Sequence, residues 1–391
     1  MSHDVYPGAG IDNEPLSSSE LQRRMGCMVN SLYGITVHPP GNSEEIRAFG
    51  VTALERAKHA APHSPFHSVL TDLIQIRQDL PIDHQAQLLR IGFQYELCKV
   101  EPTYPAGGKD PRQWHRWMDR ILEDSYARAD LEDALLTHYN QANDPKRYAG
   151  PKLALLACAD RLPPSFDIVD SGCSAGLGQI QIGENLPFSQ IKFVTDQRFM
   201  RFILHQVLKS ALDVGKNIGF DRVVDSNIDW VEACSYYPHE YADKSKIAQR
   251  QALYKKRDGF RITYGDINDG PDNVGLAEVR KHVPNGKFNV SMSVTSLYEI
   301  PSAKRDQAVK NLESLADHLT IIQDVAEIDP NDPTKLIFAT DIYAPTAHYN
   351  LFMKDVSRPD QPFEKLGRWA NFRCHTFTPT RTLLNKLLRQ V

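Results

Sequence analysis

Phe166-Asp167-Ile168-Val169-Asp170-Ser171-Gly172-Cys173-Ser174-Ala175-Gly176 is the stretch on which the fold of this 391-residue chain turns. Its first five residues form a largely apolar run tipped by an acid, the pattern of a β-strand. Gly172 follows after one residue. Glycines here and at Gly176 let the backbone pass close beneath a ligand where a Cβ would collide. In open parallel sheets nucleotide-like ligands bind at the carboxyl ends of the strands, so this strand tip is the candidate site.

Two further strand-like runs end in acids. Ile191-Lys192-Phe193-Val194-Thr195 leads to Asp196, a carboxylate suited to accept both hydroxyls of a ribose. Arg261-Ile262-Thr263-Tyr264-Gly265 leads to Asp266, suited to accept from the exocyclic amine of an adenine. Asp170 is expected to order the glycine loop or to reach a bound amino group through water. Additional strands are expected at Phe288–Val294, Leu319–Val325 and Lys335–Thr340, with helices at Arg201–Leu212 and Ala303–Asp317. This alternation predicts an α/β fold over residues 151–391, a Rossmann-like, doubly wound and mostly parallel sheet. Upstream, helical patterns cover 44–61, 66–74 and 114–139, so 41–150 is expected to be a helical domain and 1–40 a flexible segment. That domain is expected to act as a lid that shapes the acceptor pocket.

The loop and the acids that follow it resemble those of class I S-adenosylmethionine-dependent methyltransferases. In that family the loop commonly reads Asp-x-Gly-Cys-Gly-x-Gly; here Ser174 stands at the central glycine. The resemblance implies S-adenosylmethionine as cofactor, bound by Asp170, Gly172, Cys173, Ser174 and Gly176, with Asp196 on the ribose and Asp266 on the adenine. Asp196 and Asp266 lie farther apart than the family's spacing, which leaves Asp221 and Asp225 as alternatives for the ribose. Asp196 is favoured because Val194-Thr195-Asp196 precedes an amphipathic helix. Further landmarks are His63-Ser64-Pro65-Phe66, Gly219-Phe220-Asp221, Trp230-Val231-Glu232-Ala233 before Tyr237-Pro238, and Ser293-Val294-Thr295-Ser296-Leu297-Tyr298. In that order they resemble a bacterial domain family of unknown function with a methyltransferase-like core.

The methyl of a sulfonium is already activated, so such a protein mainly aligns the acceptor and excludes water. Acceptor-side residues are expected after Phe288–Val294, at Thr295, Ser296, Tyr298 and Glu299, and in the tail at Asp341, Tyr343 and His348. Tyr298, Glu299 and His348 are the candidates for a catalytic role. The acceptor itself has no signature. A small molecule is expected, because no charged docking surface is evident.

Gly172-Cys173-Ser174-Ala175-Gly176 also satisfies G-x-S-x-G, the nucleophile elbow of α/β-hydrolases. In that reading Ser174 attacks an ester, with Asp341 and His348, or Asp324 and His375, completing the triad. No HGGG-type oxyanion motif precedes it; Gly107-Gly108 lacks the histidine. A nicotinamide fingerprint fails because Gln181 occupies the third glycine position. A methyltransferase-like binding protein without activity also accommodates Ser174.

Composition bounds these readings. The chain is 41% hydrophobic and 24% charged with a formal net charge of -4, ordinary for a globular protein. No long Lys/Arg run suggests a nucleic-acid partner. The six cysteines include no C-x-x-C, which fits reduced thiols in the cytoplasm. The first residues lack a signal-peptide layout, and no apolar run reaches membrane-spanning length. His59, His63 and His67 have ligand-like spacing, but Pro62 and Pro65 interrupt any shared helix, so no metal is expected. The basic run 244–257 reads as a solvated face, and Trp230, Tyr236 and Tyr237 read as packing residues.

Overall fold

The computed structural model describes residues 14–390, apart from 60, 62, 102–103, 141–143, 187, 189–190, 197, 222–227, 236–237, 239, 241–251, 253–260, 269–273, 340–347 and 371–373. Asp225, Tyr236, Tyr237, Asp341 and Tyr343 therefore lie outside the described residues, as does nearly all of the basic run 244–257. The chain divides into two compact units, Met1–Ala142 with Asn227–Ile247, and Asn143–Ser226 with Ala248–Val391.

The first unit is helical: α1 (Ser18–Val37), α2 (Glu44–His59), α3 (Pro65–Ile76), α4 (Ile82–Val100), α5 (Pro111–Glu123), α6 (Ser125–Thr137) and, later in the chain, α10 (Ile228–Ser235). Helix α1 falls inside the stretch expected to be flexible. Met28, Leu32 and Ile35 recur at helical spacing and are buried, and Ser17 caps its first turn through the Glu20 N–H. Phe49, Phe93, Trp114 and Trp117 fill the core, the two indoles meeting edge to face at 5.2 Å. Buried Arg77 donates to the carbonyls of Leu135 and His138 at 3.0 and 2.7 Å, satisfying the end of α6. Trp230 is buried in this same core and donates to the Tyr139 carbonyl at 2.8 Å. His59 ends α2 and His67 lies within α3, where its Nδ1 faces the Thr71 hydroxyl. Among the described residues no cluster of three metal-binding side chains forms, and no helix is long and apolar enough to cross a membrane.

The second unit is built on a nine-stranded sheet. Its strands are β1 (Phe166–Ser171), β2 (Lys192–Phe193), β3 (Val214–Asp221), β4 (Arg261–Tyr264), β5 (Phe288–Val294), β6 (Ala316–Asp324), β9 (Asn350–Asp355), β10 (Glu364–Trp369) and β11 (Thr376–Pro379). They lie side by side in the order β2-β11-β10-β9-β6-β5-β1-β3-β4. Strands β4, β3, β1, β5 and β6 are mutually parallel; β9, β10 and β11 then alternate in direction. A separate ribbon pairs β7 (Ala326–Ile328) with β8 (Leu336–Phe338), so the strand expected at Lys335–Thr340 is not part of the main sheet.

Alternate residues face two helical layers, as the period of a strand requires. Ile168, Val290, Met292, Leu319, Ile321 and Met353 belong to the core beneath α7 (Ala149–Ala157), α9 (Arg198–Val207) and α13 (Arg381–Leu388). Val169, Phe220, Ile322 and Phe352 belong to the core shared with α11 (Val274–Arg280) and α12 (Ser302–Ser314). The chain thus has the expected α/β, mostly parallel, doubly wound fold.

Lys152 in α7 is fully buried, and its ammonium makes no hydrogen bond among the described residues, lying 5.9 Å from the Phe188 ring. Burial lowers its pKa from the ordinary 10.5. The unfolded chain then binds the extra proton between that lowered value and 10.5, so this group makes stability rise with pH across the interval. Lys152→Met is expected to stabilise the protein at pH 7 by about 1–3 kcal/mol, the desolvation penalty it removes. The variant should also flatten the alkaline rise in urea-unfolding midpoints; an unchanged pH profile would exclude Lys152 as its source.

Candidate active site

Strand β1 delivers the chain into a loop that three left-handed residues shape: Gly172 at φ 72°, Ser174 at φ 50° and Gly176 at φ 71°. A Cβ on Gly172 would stand 2.4 Å from the Ser296 side chain, so only glycine fits. Ser296 in turn donates from Oγ to the Ser171 carbonyl at 3.2 Å, fastening the loop to the end of β5. Helix α8 (Leu177–Gly183) follows the loop.

The loop's backbone donors are largely consumed within the protein. Gly172 and Cys173 donate to the Phe220 carbonyl at 2.9 and 3.5 Å, and Gly176 donates to the Cys173 carbonyl at 2.8 Å. The Ser174 N–H donates to Asp221 Oδ2 at 2.8 Å. A phosphate cradle keeps such donors for its ligand; here they hold the loop against the end of β3. A left-handed serine costs roughly 1–2 kcal/mol relative to glycine, and the bond to Asp221 offsets part of that.

Asp170 is completely buried at the tip of β1. Its Oδ2 accepts from the Tyr148 hydroxyl at 2.5 Å, while Oδ1 is shielded and has no hydrogen-bond partner among the described residues. Burial pushes this carboxyl well above its ordinary value of 3.8; the Tyr148 bond opposes the rise and the charge on Asp221 adds to it. The Tyr148 phenol is held high as well, by its own burial and then by the carboxyl beside it. A carboxyl whose folded pKa is raised contributes stability that is complete below pH 3.8 and fades as pH climbs through the raised value. Asp170→Asn is expected to remove that fade, since the amide carbonyl still accepts from Tyr148. Asp170→Ala, which leaves a buried phenol without an acceptor, should cost about 1–3 kcal/mol. Urea midpoints between pH 4 and 8 separate the two, and a pH-dependent Asn variant would refute this account of Asp170.

Strand order decides which acids lie near the loop. Asp221 ends β3, directly beside β1, and its carbonyl accepts from the Gly265 N–H at 3.0 Å on the far side. Asp266 follows β4, the next strand out; it is half-buried, and its Oδ1 accepts from the Asn268 N–H at 2.8 Å. Asp170, Asp221 and Asp266 therefore stand in succession along one carboxyl edge.

Asp196 does not join them. Strand β2 is the outermost strand on the other side, six strand spacings from β1, or about 29 Å. It is parallel to β11 and so antiparallel to β1, which puts exposed Asp196 at the opposite end of the sheet. Of the acids considered for a ribose, Asp221 lies beside the loop and Asp196 does not.

On the other side of the loop, Thr295 (φ 62°) and Tyr298 follow β5. Thr295 Oγ1 accepts from Arg147 at 2.8 Å, and the Tyr298 ring lies 6.3 Å from that of buried Tyr349. His348 precedes Tyr349 at this same edge, half-buried, with a shielded Nδ1 that has no hydrogen-bond partner among the described residues. Burial, then Arg368 and Lys365, lower its pKa and favour the neutral ring. The side chain of Glu299 lies outside the described residues. Asp324 is buried and accepts from the backbone N–H groups of Val325, Leu297 and Tyr298 at 2.7, 2.9 and 3.4 Å. His375 faces Lys146 at 3.4 Å. Those contacts give Asp324 and His375 structural occupations.

Three participants escaped the sequence reading: strand β3, Tyr148 and Arg147. Tyr148 left one trace, Gly178 in α8, where a Cβ would lie 1.9 Å from its ring.

No protein-family model matches the sequence, and neither does any curated protein. Among solved structures the chain is similar to the YcgJ protein of Bacillus subtilis, at 13% identity and TM-score 0.24, covering 46% of this chain and 53% of that one. It thus spans about half the length of the Bacillus protein. It is also similar to an S-adenosylmethionine-dependent methyltransferase from Clostridium acetobutylicum, at 9% identity and TM-score 0.25, over 71% and 86% of the two chains. A third is an O-methyltransferase family 2 protein from Planctomyces limnophilus in complex with apigenin, at 13% identity and TM-score 0.23, covering 81% of each chain. Likenesses this distant bear no weight; fold and site rest on strand order and loop geometry.

Proposed function

We propose that the sheet unit binds S-adenosylmethionine and transfers its methyl group to a small-molecule acceptor. The observation that carries this reading is the succession Asp170, Asp221, Asp266 along the carboxyl ends of β1, β3 and β4, beside a glycine loop whose N–H groups are largely spent internally. Such a loop suits a nucleoside without phosphates better than a dinucleotide.

The donor set fits the cofactor. Asp221 would accept from the ribose hydroxyls and Asp266 from the adenine amine, each a charge-assisted hydrogen bond. Gly172 would let the ligand lie against the loop, and Tyr148 would hold Asp170 beneath it. When bound, S-adenosylmethionine supplies a methyl group already activated on a sulfonium. Tyr298 and Tyr349 would pack against the acceptor, and neutral His348 would take its proton where the acceptor is a hydroxyl or an ammonium.

Ultraviolet cross-linking of methyl-labelled S-adenosylmethionine tests the site. Label is expected in peptides carrying Gly172–Gly178 or Asp221, competed by S-adenosylhomocysteine and lost in Gly172→Val. Label confined to the Asp196 region would contradict the reading. Modification of Ser174 by a fluorophosphonate, with no cross-linking, would favour the esterase instead.

A further inference from the structure

The amino ends of the strands carry a second feature unconnected with the loop. An open concavity of about 530 Å³ lies between the start of β3, the end of α11 and the turn into β5, lined by Lys216, Arg280, Lys281, His282, Pro284 and Gly286. The length of β1, roughly 20 Å, separates it from the glycine loop. Positive charge converges here from separate elements. Lys216 enters from β3, Arg280 closes α11, Lys281 and His282 follow it, and Arg261 of β4 acts electrostatically on His282. Glu278 offsets Lys281 through an ion pair. The dipole at the end of a seven-residue helix accounts for one cation, and Lys216 does cap the His282 carbonyl. It does not account for the rest. Arg280 donates to the Ser314 hydroxyl at 2.8 Å through one terminal nitrogen, but its shielded Nε has no acceptor among the described residues. The turn at Gly286, at φ 67°, passes beside the aliphatic stem of Arg280.

We propose that this concavity binds a phosphate group of a small phosphorylated ligand. A tetrahedral dianion presents enough acceptors for a guanidinium N–H, two ammonium groups and an imidazole at once, which a single carboxylate does not. The cations surround a hollow rather than forming a stripe, which suits one phosphoryl group better than a nucleic-acid backbone. Burial lowers the His282 pKa; Arg261 and Lys216 lower it further, and Glu278 opposes them.

The test is calorimetric titration of the full chain with inorganic pyrophosphate at constant ionic strength, with acetate as a control. Dissociation constants below about 1 mM are expected, weakened about tenfold or more by Arg280→Gln and by Lys216→Ala, and unchanged in Asp196→Ala. Lys216→Ala removes an exposed side chain, so it keeps the test decisive if Arg280→Gln perturbs folding. No binding up to roughly 10 mM, equal binding of acetate, or binding that survives both variants would overturn the proposal.

Discussion

Gly178→Ala is expected to destabilise the sheet unit by about 3 kcal/mol. A methyl group there would stand 1.9 Å from the Tyr148 ring, which is 3% exposed and has no space into which to retreat. Overpacking alone costs about 1–3 kcal/mol. Displacing Tyr148 also strips the buried Asp170 carboxyl of its hydroxyl partner, a further 1–3 kcal/mol or so. The two residues act as a unit, so the effect should be strongly non-additive: in a Tyr148→Ala background the added methyl has room and should cost little. Equilibrium urea unfolding of the four proteins in this cycle supplies the coupling energy. A coupling near zero would mean that Tyr148 is not what makes Gly178 necessary.

The second large effect concerns ligand binding. Asp221→Ala is expected to weaken S-adenosylhomocysteine binding about 10- to 100-fold, the loss of hydrogen bonds from ribose hydroxyls to a charged acceptor. Asp196→Ala should leave it unchanged, being six strands away and at the other end of the sheet. Because Asp221 also receives the Ser174 N–H, the alanine variant perturbs the loop. Asp221→Asn keeps an acceptor for that N–H and should retain loop geometry while binding more weakly than wild type. Equal losses in Asp196→Ala and Asp221→Ala would remove the basis for assigning the ribose to β3.

The contrast between Asp196 and Asp221 shows what was legible in the sequence. The central strands β1 and β5 were visible almost to the residue, because strands covered on both faces read as continuous apolar runs. The glycine loop and Asp266 were visible for similar local reasons. Strand β3 was hidden by its own packing. Gly215 and Gly219 interrupt it because a Cβ would meet Asp167 at 2.7 Å and Cys173 at 2.5 Å, so tight packing under the loop erased the β-branched pattern that announces a strand. Ile191–Asp196 carries that pattern openly, yet only Lys192–Phe193 pair, at the sheet's edge and in the reverse direction. Orientation and strand order are long-range properties that no local window contains. Tyr148 illustrates the same limit: it precedes α7, within the stretch assigned to the helical domain, and reaches Asp170 only once the chain has folded.

We propose that the loop after β1 and the acids of β3 and β4 form a nucleoside site for S-adenosylmethionine. Calorimetric titration of the wild-type chain with S-adenosylhomocysteine tests it most directly. One site per chain with a micromolar dissociation constant is expected, abolished by Gly172→Val. No binding by the wild-type protein, or binding that Gly172→Val leaves intact, would contradict it.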